Sequence, residues 1–385
     1  MRFEFATATR ILFGEGTVRE VASAAKAMGA RALLVTGRSA ERAAPLRAEL
    51  QAAGMACCRL SVDGEPTVEL IQRGVEQARA ERCELVIAMG GGSALDAGKA
   101  IAALLTNHGD LLDYLEVIGR GEALRALAAP FIAVPTTAGT GTEVTRNAVL
   151  ASSAHRVKVS LRSPLMLARL AVVDPELTLG LPPDVTARTG LDALTQLIEP
   201  YVSKRANPMT DGFCVEGLDR VSRSLRRAYH DGQDRAARFD MSVASLLGGL
   251  ALANAGLGVV HGFAGPLGGM FAAPHGAVCA ALLPHGIELN IRALRARDPS
   301  SEILRRHETI ARLLTGRPQA RAEDAIEWTS AICRELQIPP LRVYGVRDQD
   351  IPVLVEKATH ASSMKGNPIT LTGEELREIL TRACG

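Results

Sequence analysis

At 385 residues, 47% hydrophobic and 22% charged, the chain has the make-up of a globular protein large enough for two domains. Its net charge of +2 comes from 44 basic and 42 acidic residues without blocks of one sign, which excludes the electrostatic footprint of a nucleic-acid binder. Aromatic residues make up 3%, with a single tryptophan, Trp328, which excludes a base-stacking platform.

The opening stretch "MRFEFATATRILFGEG" lacks an apolar core of signal-peptide length. Seven scattered cysteines with no C-x-x-C pair read as reduced thiols rather than a disulfide frame. Both features point to a cytoplasmic protein. Short β-branched runs then alternate with Ala-rich helical stretches. The expected strands are 31–37, 58–64, 84–93, 130–139 and 170–176. Such alternation implies a parallel sheet with helices on both faces.

After Pro182 and Pro183 the pattern becomes helical almost to Cys384, the last helix opening on a capping box from Thr372 to Glu375. The boundary falls near residue 180, giving an α/β domain over 1–180 and an all-helical domain over 181–385. Residues 241–287 contain no Asp, Glu, Lys or Arg. Asn254 and the missing aromatic and basic flanks argue for a buried core segment there, and against a membrane span.

Two turns carry ligand chemistry. "MGGGSALDAGKAI" (89–101) follows a strand and opens a helix. There Gly90, Gly91 and Gly92 let backbone N–H groups approach a phosphate, and the helix aims its positive end at that charge. The turn fits neither the Walker A nor the G-x-G-x-x-G pattern. Three successive glycines are costly in backbone entropy, which favours a ligand over an empty turn. "VPTTAGTGTEVTR" (134–146) clusters hydroxyls and free N–H groups around Gly139 and Gly141, suited to a ribose, a pyrophosphate or a nicotinamide amide. Both turns end strands of one sheet, where ligands of such folds bind.

"GGGSALDAGKAIA", "PTTAGTGTEVT", "DPELTLGLPP", "TGLDALTQLIEPYVS" and "HGFAGPLGGMFAAPHG" resemble, in order and spacing, the iron-containing (group III) alcohol dehydrogenases. The resemblance runs from about Thr7 to the C-terminus. It implies an N-terminal NAD(P)-binding α/β domain and an all-α C-terminal domain, an architecture shared with dehydroquinate synthase. It also implies reversible hydride transfer between a nicotinamide cofactor and an alcohol or aldehyde, in at least a homodimer.

Carried over by position, the family's pyrophosphate loop falls on Gly90, Gly91, Gly92 and Ser93, with Asp96 behind. The second cofactor loop falls on Thr136, Thr137 and Thr140. Val149 and Lys158 match positions near the nicotinamide and ribose, although a lone Lys158 would by itself read as a solvated surface lysine. After the strand 31–37, Gly37, Arg38 and Ser39 stand where an acidic residue would select NAD. A guanidinium and a hydroxyl there lean toward NADP(H). Glu65 stands where the family usually has Asn.

The family's metal ligands map onto Asp192, Gln196, His261 and His275, with Gln in place of a second-position imidazole. Gly265 likewise stands where a further His is common. Asp with two His still forms a set able to hold Fe²⁺ or Zn²⁺. The plainer reading is that Asp192, Gln196 and Glu199 flank the apolar stripe of helix 186–199 as its solvated face. The expected activity is a metal-assisted alcohol dehydrogenase or aldehyde reductase acting on a small uncharged carbonyl or alcohol. The alternative is a metal-independent reductase on the same fold, resembling maleylacetate reductases. Maleylacetate reductases more often have Asn at the position of Asp192.

Overall fold

The computed structural model describes residues 2–152, 154–155 and 157–385. Its strands are β1 (Ile11–Phe13), β2 (Arg31–Gly37), β3 (Ala56–Val62), β4 (Leu85–Gly90), β5 (Phe131–Pro135), β6 (Asn147–Ser152), β7 (Val157–Arg162) and β8 (Leu170–Val173). Six of them form one sheet in the order β1-β8-β5-β4-β2-β3, paired in parallel throughout. β4 reads LVIAMG and is buried at every position, as a central strand covered on both faces must be. β3, at the edge, is only partly covered.

The chain runs from β2 outward to β3, then crosses back to place β4 on the other side of β2. That reversal opens the crevice in which doubly wound sheets bind ligands. Gly37 ends β2 and Gly90 ends β4, so both lie at the switch point.

The five expected strands are present. β3 is shifted two residues toward the N-terminus of its expected span, and β4, β5 and β8 are shorter than theirs. Two features were not anticipated: the short β1 and the antiparallel hairpin β6–β7. β6 alternates between half-buried and buried positions, the period of a strand with one covered face.

The chain forms two compact units. One is Phe5–Thr137 with Gly141–Thr178; the other is Leu179–Gly385 with Ala138–Thr140 and the described N-terminal residues 2–4. Among the described residues the second unit contains nine α-helices and no strand. Arg235–Ala255 is long and apolar enough to cross a membrane by composition alone. In this fold its Met241, Ala244 and Ala251 sit in the helical core instead. The expected capping box is formed: Thr372 N donates to Glu375 Oε2 at 2.7 Å, and Glu375 N donates to Thr372 Oγ1 at 3.2 Å.

Candidate functional site

In the sheet unit, β4 passes through Gly91 into the helix Gly92–Thr106. A side chain at Gly90 would put its Cβ 2.7 Å from Ala94 Cβ and 3.3 Å from the backbone N of Gly37, so glycine is needed where the ends of β2 and β4 meet. Gly91 is different. A Cβ there would meet only Thr137, at 3.6 Å, so packing does not demand glycine. Gly91, Gly92 and Ser93 are half-buried, leaving the N–H groups of the helix N-terminus within reach of a ligand.

Thr136 donates its backbone N–H to Gly90 O at 2.9 Å, which ties the threonine turn to the glycine turn. Thr137 and Thr140 are half-buried.

Asp96 is buried and fully engaged. Its carboxylate accepts from Thr142 Oγ1 at 2.9 Å and from Val149 N at 3.0 Å. Lys99, which the sequence reading passed over, is fully buried. It donates to Thr142 O, Thr145 Oγ1 and Asn147 O at 2.7, 2.9 and 2.8 Å, and lies 3.9 Å from Asp96. Burial pulls its pKa down to about 8 against the opposing pull of Asp96 and Glu143. Asp96 and Lys99 thus pin the segment 142–149 to the helix Gly92–Thr106.

Lys158 is not a surface lysine. Its side chain is 4% exposed and pairs with Glu65 at 2.7 Å, so the unusual glutamate has a partner. Arg38 is 86% exposed and reaches no closer than 4.0 Å to Asp63, itself exposed; such a pair adds little stability.

In the helical unit, the stretch from Pro183 to Val202 forms one helix. Asp192, Gln196 and Glu199 are 1%, 3% and 6% exposed, so the solvated-face reading is overturned. Two neighbouring helices cover that face, and the first of them donates to it. Glu199 sits at the start of the helix Val259–Met270 and accepts from Val260 N at 2.7 Å. A carboxylate there answers both the unpaired N–H groups and the positive helix end. Its other oxygen lies 2.7 Å from His261 Nδ1, which leaves Nε2 turned toward Asp192.

The helix His275–Arg297 approaches from a third direction. A Cβ at Gly276 would lie 2.3 Å from the Arg188 carbonyl, so only glycine lets this helix dock against Pro183–Val202. Docking sets His275 Nε2 3.5 Å from Asp192 Oδ1, and His261 Nε2 is also 3.5 Å from that oxygen. Gln196 Nε2 donates to Asp192 Oδ2 at 3.0 Å. Asp192 Oδ1, His261 Nε2 and Gln196 Oε1 are all buried without a hydrogen-bond partner.

Buried polar atoms without a hydrogen bond are costly, and two of these, Asp192 Oδ1 and His261 Nε2, face each other. Cys279, one turn beyond His275, joins them: the ligand atoms of Asp192, His261, His275 and Cys279 all lie within 4.8 Å of one another.

The electrostatics of this pocket suit a cation. Burial alone would raise the Asp192 carboxyl, but His275 and His261 outweigh it and hold it below the usual carboxylate range. For His261, burial opposes the charge, yet Cys279, Asp192 and Glu199 together raise its pKa well above that of a free imidazole. The residues present therefore fit a divalent ion. The expected ligands Asp192, Gln196, His261 and His275 come together here, and Gly265 faces open space one turn beyond His261.

Residues 8–175 match the sequence family described as "Iron-containing alcohol dehydrogenase", and residues 186–384 match "Fe-containing alcohol dehydrogenase family, C-terminal". The chain is 38% identical over 319 residues to alcohol dehydrogenase 4 of Saccharomyces cerevisiae, covering 83% of this chain and 80% of that protein. It is 37% identical over 328 residues to the 1,3-propanediol dehydrogenase of Citrobacter freundii, covering 84% and 81%. A crystal structure of a 1,3-propanediol oxidoreductase superposes with a TM-score of 0.92 at 33% identity, covering 100% of both chains.

Proposed function

The chain belongs to the iron-containing alcohol dehydrogenase family, and from that premise we propose how its residues serve a nicotinamide-dependent oxidoreductase that interconverts an alcohol with its aldehyde or ketone. Gly90, Gly91, Gly92 and Ser93 receive the cofactor pyrophosphate at a helix N-terminus. Thr136, Thr137 and Thr140 offer hydroxyls and N–H groups to the rest of the dinucleotide. Asp96, Val149 and Lys158 hold the walls of that site, since each is engaged with protein. Bound there, the nicotinamide is the hydride carrier.

Asp192, His261 and His275 hold a divalent metal. When bound, the metal supplies Lewis acidity toward the substrate oxygen. Glu199 keeps His261 in one orientation, and Gln196 does the same for Asp192. The observation that carries this reading is the pair of buried atoms Asp192 Oδ1 and His261 Nε2, which make no hydrogen bond and face each other at 3.5 Å. Removing the metal with chelator should abolish aldehyde reduction, and adding Fe²⁺ or Zn²⁺ should restore it in proportion to metal content. Full activity in the stripped protein would shift the reading to the metal-independent reductase.

The substrate is a small or medium uncharged alcohol or carbonyl compound. The reasons are the absence of charged residues from 241–287 and the open space at Gly265. NADP(H) is the preferred cofactor, because Gly37, Arg38 and Ser39 present an exposed guanidinium and hydroxyl where a 2′-phosphate would lie. A charge-assisted hydrogen bond is worth roughly 1.5–3 kcal/mol. Arg38→Ala should therefore raise the KM for NADPH about tenfold or more and leave that for NADH unchanged. Equal losses for both cofactors would count against the assignment. Seven thiols free of disulfides suit a reducing, cytoplasmic setting, and family membership suggests a homo-oligomer, readable by light scattering.

A further inference from the structure

We propose that the fourth protein ligand of this metal site is the thiolate of Cys279, with Gln196 left to orient Asp192, and that the site in consequence selects Zn²⁺ over Fe²⁺. The inference rests on the metal-assisted reading above. His275 and Cys279 lie four residues apart at the start of the helix His275–Arg297, a spacing that puts both side chains on one face. Asp192 and Gln196 repeat that spacing on the facing helix Pro183–Val202. His275 and Cys279 thus gather with Asp192 and His261 around one point, their four donor atoms all within 4.8 Å of one another.

Three of the donor–donor distances match a coordination shell. Around a tetrahedral ion with metal–sulfur bonds of about 2.3 Å and metal–nitrogen or –oxygen bonds of about 2.0–2.2 Å, neighbouring donor atoms stand about 3.3–3.7 Å apart. Cys279 Sγ is 3.7 Å from His275 Nε2. His275 Nε2 and His261 Nε2 are each 3.5 Å from Asp192 Oδ1. These are three edges of a cluster whose four donor atoms all lie within 4.8 Å of one another.

Gln196 Oε1 is the rival donor, since it too is buried and unpartnered. Its amide nitrogen is already committed to Asp192 Oδ2 at 3.0 Å. That bond leaves Oδ1 as the carboxylate oxygen facing the imidazoles. A neutral amide oxygen is also a much weaker donor to a first-row dication than a thiolate. Thiolate ligation favours Zn²⁺, whereas a purely N/O set is open to Fe²⁺.

The test uses full-length protein loaded with one equivalent of Co²⁺ under reducing conditions. The native protein should show a near-ultraviolet thiolate-to-metal charge-transfer band. The band should vanish in Cys279→Ser and persist in Gln196→Ala. Zn²⁺ affinity should fall at least about 100-fold in Cys279→Ser, beyond the 10–100-fold typical of a residue that only orients a ligand. X-ray absorption of the native zinc-loaded protein needs no variant and should show one sulfur at about 2.3 Å.

Native protein that binds Co²⁺ without the band, and Zn²⁺ without a sulfur neighbour, would overturn the thiolate while leaving the metal reading standing. So would a Cys279→Ser variant with native affinity. Native protein that takes up neither ion would overturn both.

Discussion

Asp192→Asn should leave the fold intact, empty the metal site and lower turnover by about three orders of magnitude. The substitution keeps shape and removes the charge. Asp192 contributes the one carboxylate that faces both imidazoles, with its Oδ1 3.5 Å from each. Without it, two close imidazoles must share a cation with no carboxylate charge between them. Lewis acid stabilisation of a developing alkoxide is worth several kcal/mol, and about 4 kcal/mol corresponds to a thousandfold in rate. The substitution also installs the side chain more common in the metal-independent alternative. Metal content, circular dichroism and turnover measured on one preparation decide the matter. Native turnover in a metal-free Asp192→Asn protein would remove the metal from the mechanism.

Gly91→Val should cost at least about 100-fold in cofactor affinity with little change in melting temperature. The two readouts separate because Gly91 is not needed for packing. Its backbone is extended at φ −75°, ψ −176°, a region β-branched residues occupy readily. Its Cβ would meet Thr137 only at ordinary contact distance, 3.6 Å. Valine at the N-cap would instead fill the space a phosphate needs above the helix N-terminus. Losing two charge-assisted contacts of roughly 1.5 kcal/mol each gives that factor. Gly90→Val is the contrasting control. It must displace Ala94 and crowd Gly37, so it should destabilise the sheet unit as well. Unchanged dinucleotide affinity in Gly91→Val would place the pyrophosphate elsewhere.

Much of the sheet unit could be read from local pattern. Strands buried on both faces must be apolar throughout, so β2, β4 and β5 announced themselves, as did the helices between them. The glycine turn was legible as a strand-to-helix junction, and Gly90 there is needed where the ends of β2 and β4 meet. β1 is three residues long and gains its meaning only from pairing with β8. The hairpin β6–β7 lay in a polar stretch whose period-2 signal was not followed.

The candidate metal cluster divides along the same line. Asp192, His261 and His275 were marked by resemblance to a family, and the i, i+4 spacing of His275 and Cys279 was there to be seen as the same face of one helix. What local pattern could not decide was whether the face bearing Asp192, Gln196 and Glu199 met water or protein. Periodicity reports which side chains share a face and is silent on what covers it. Coverage comes from helices that begin at Val259 and His275, more than fifty residues along the chain. It depends on a glycine at 276 that admits one backbone to another. Sequence determined the fold class, the glycine turn after β4 and the inventory of donors. Tertiary packing turned a polar helix face into a buried, charge-matched cluster, because desolvation and donor geometry exist only once the three helices are docked.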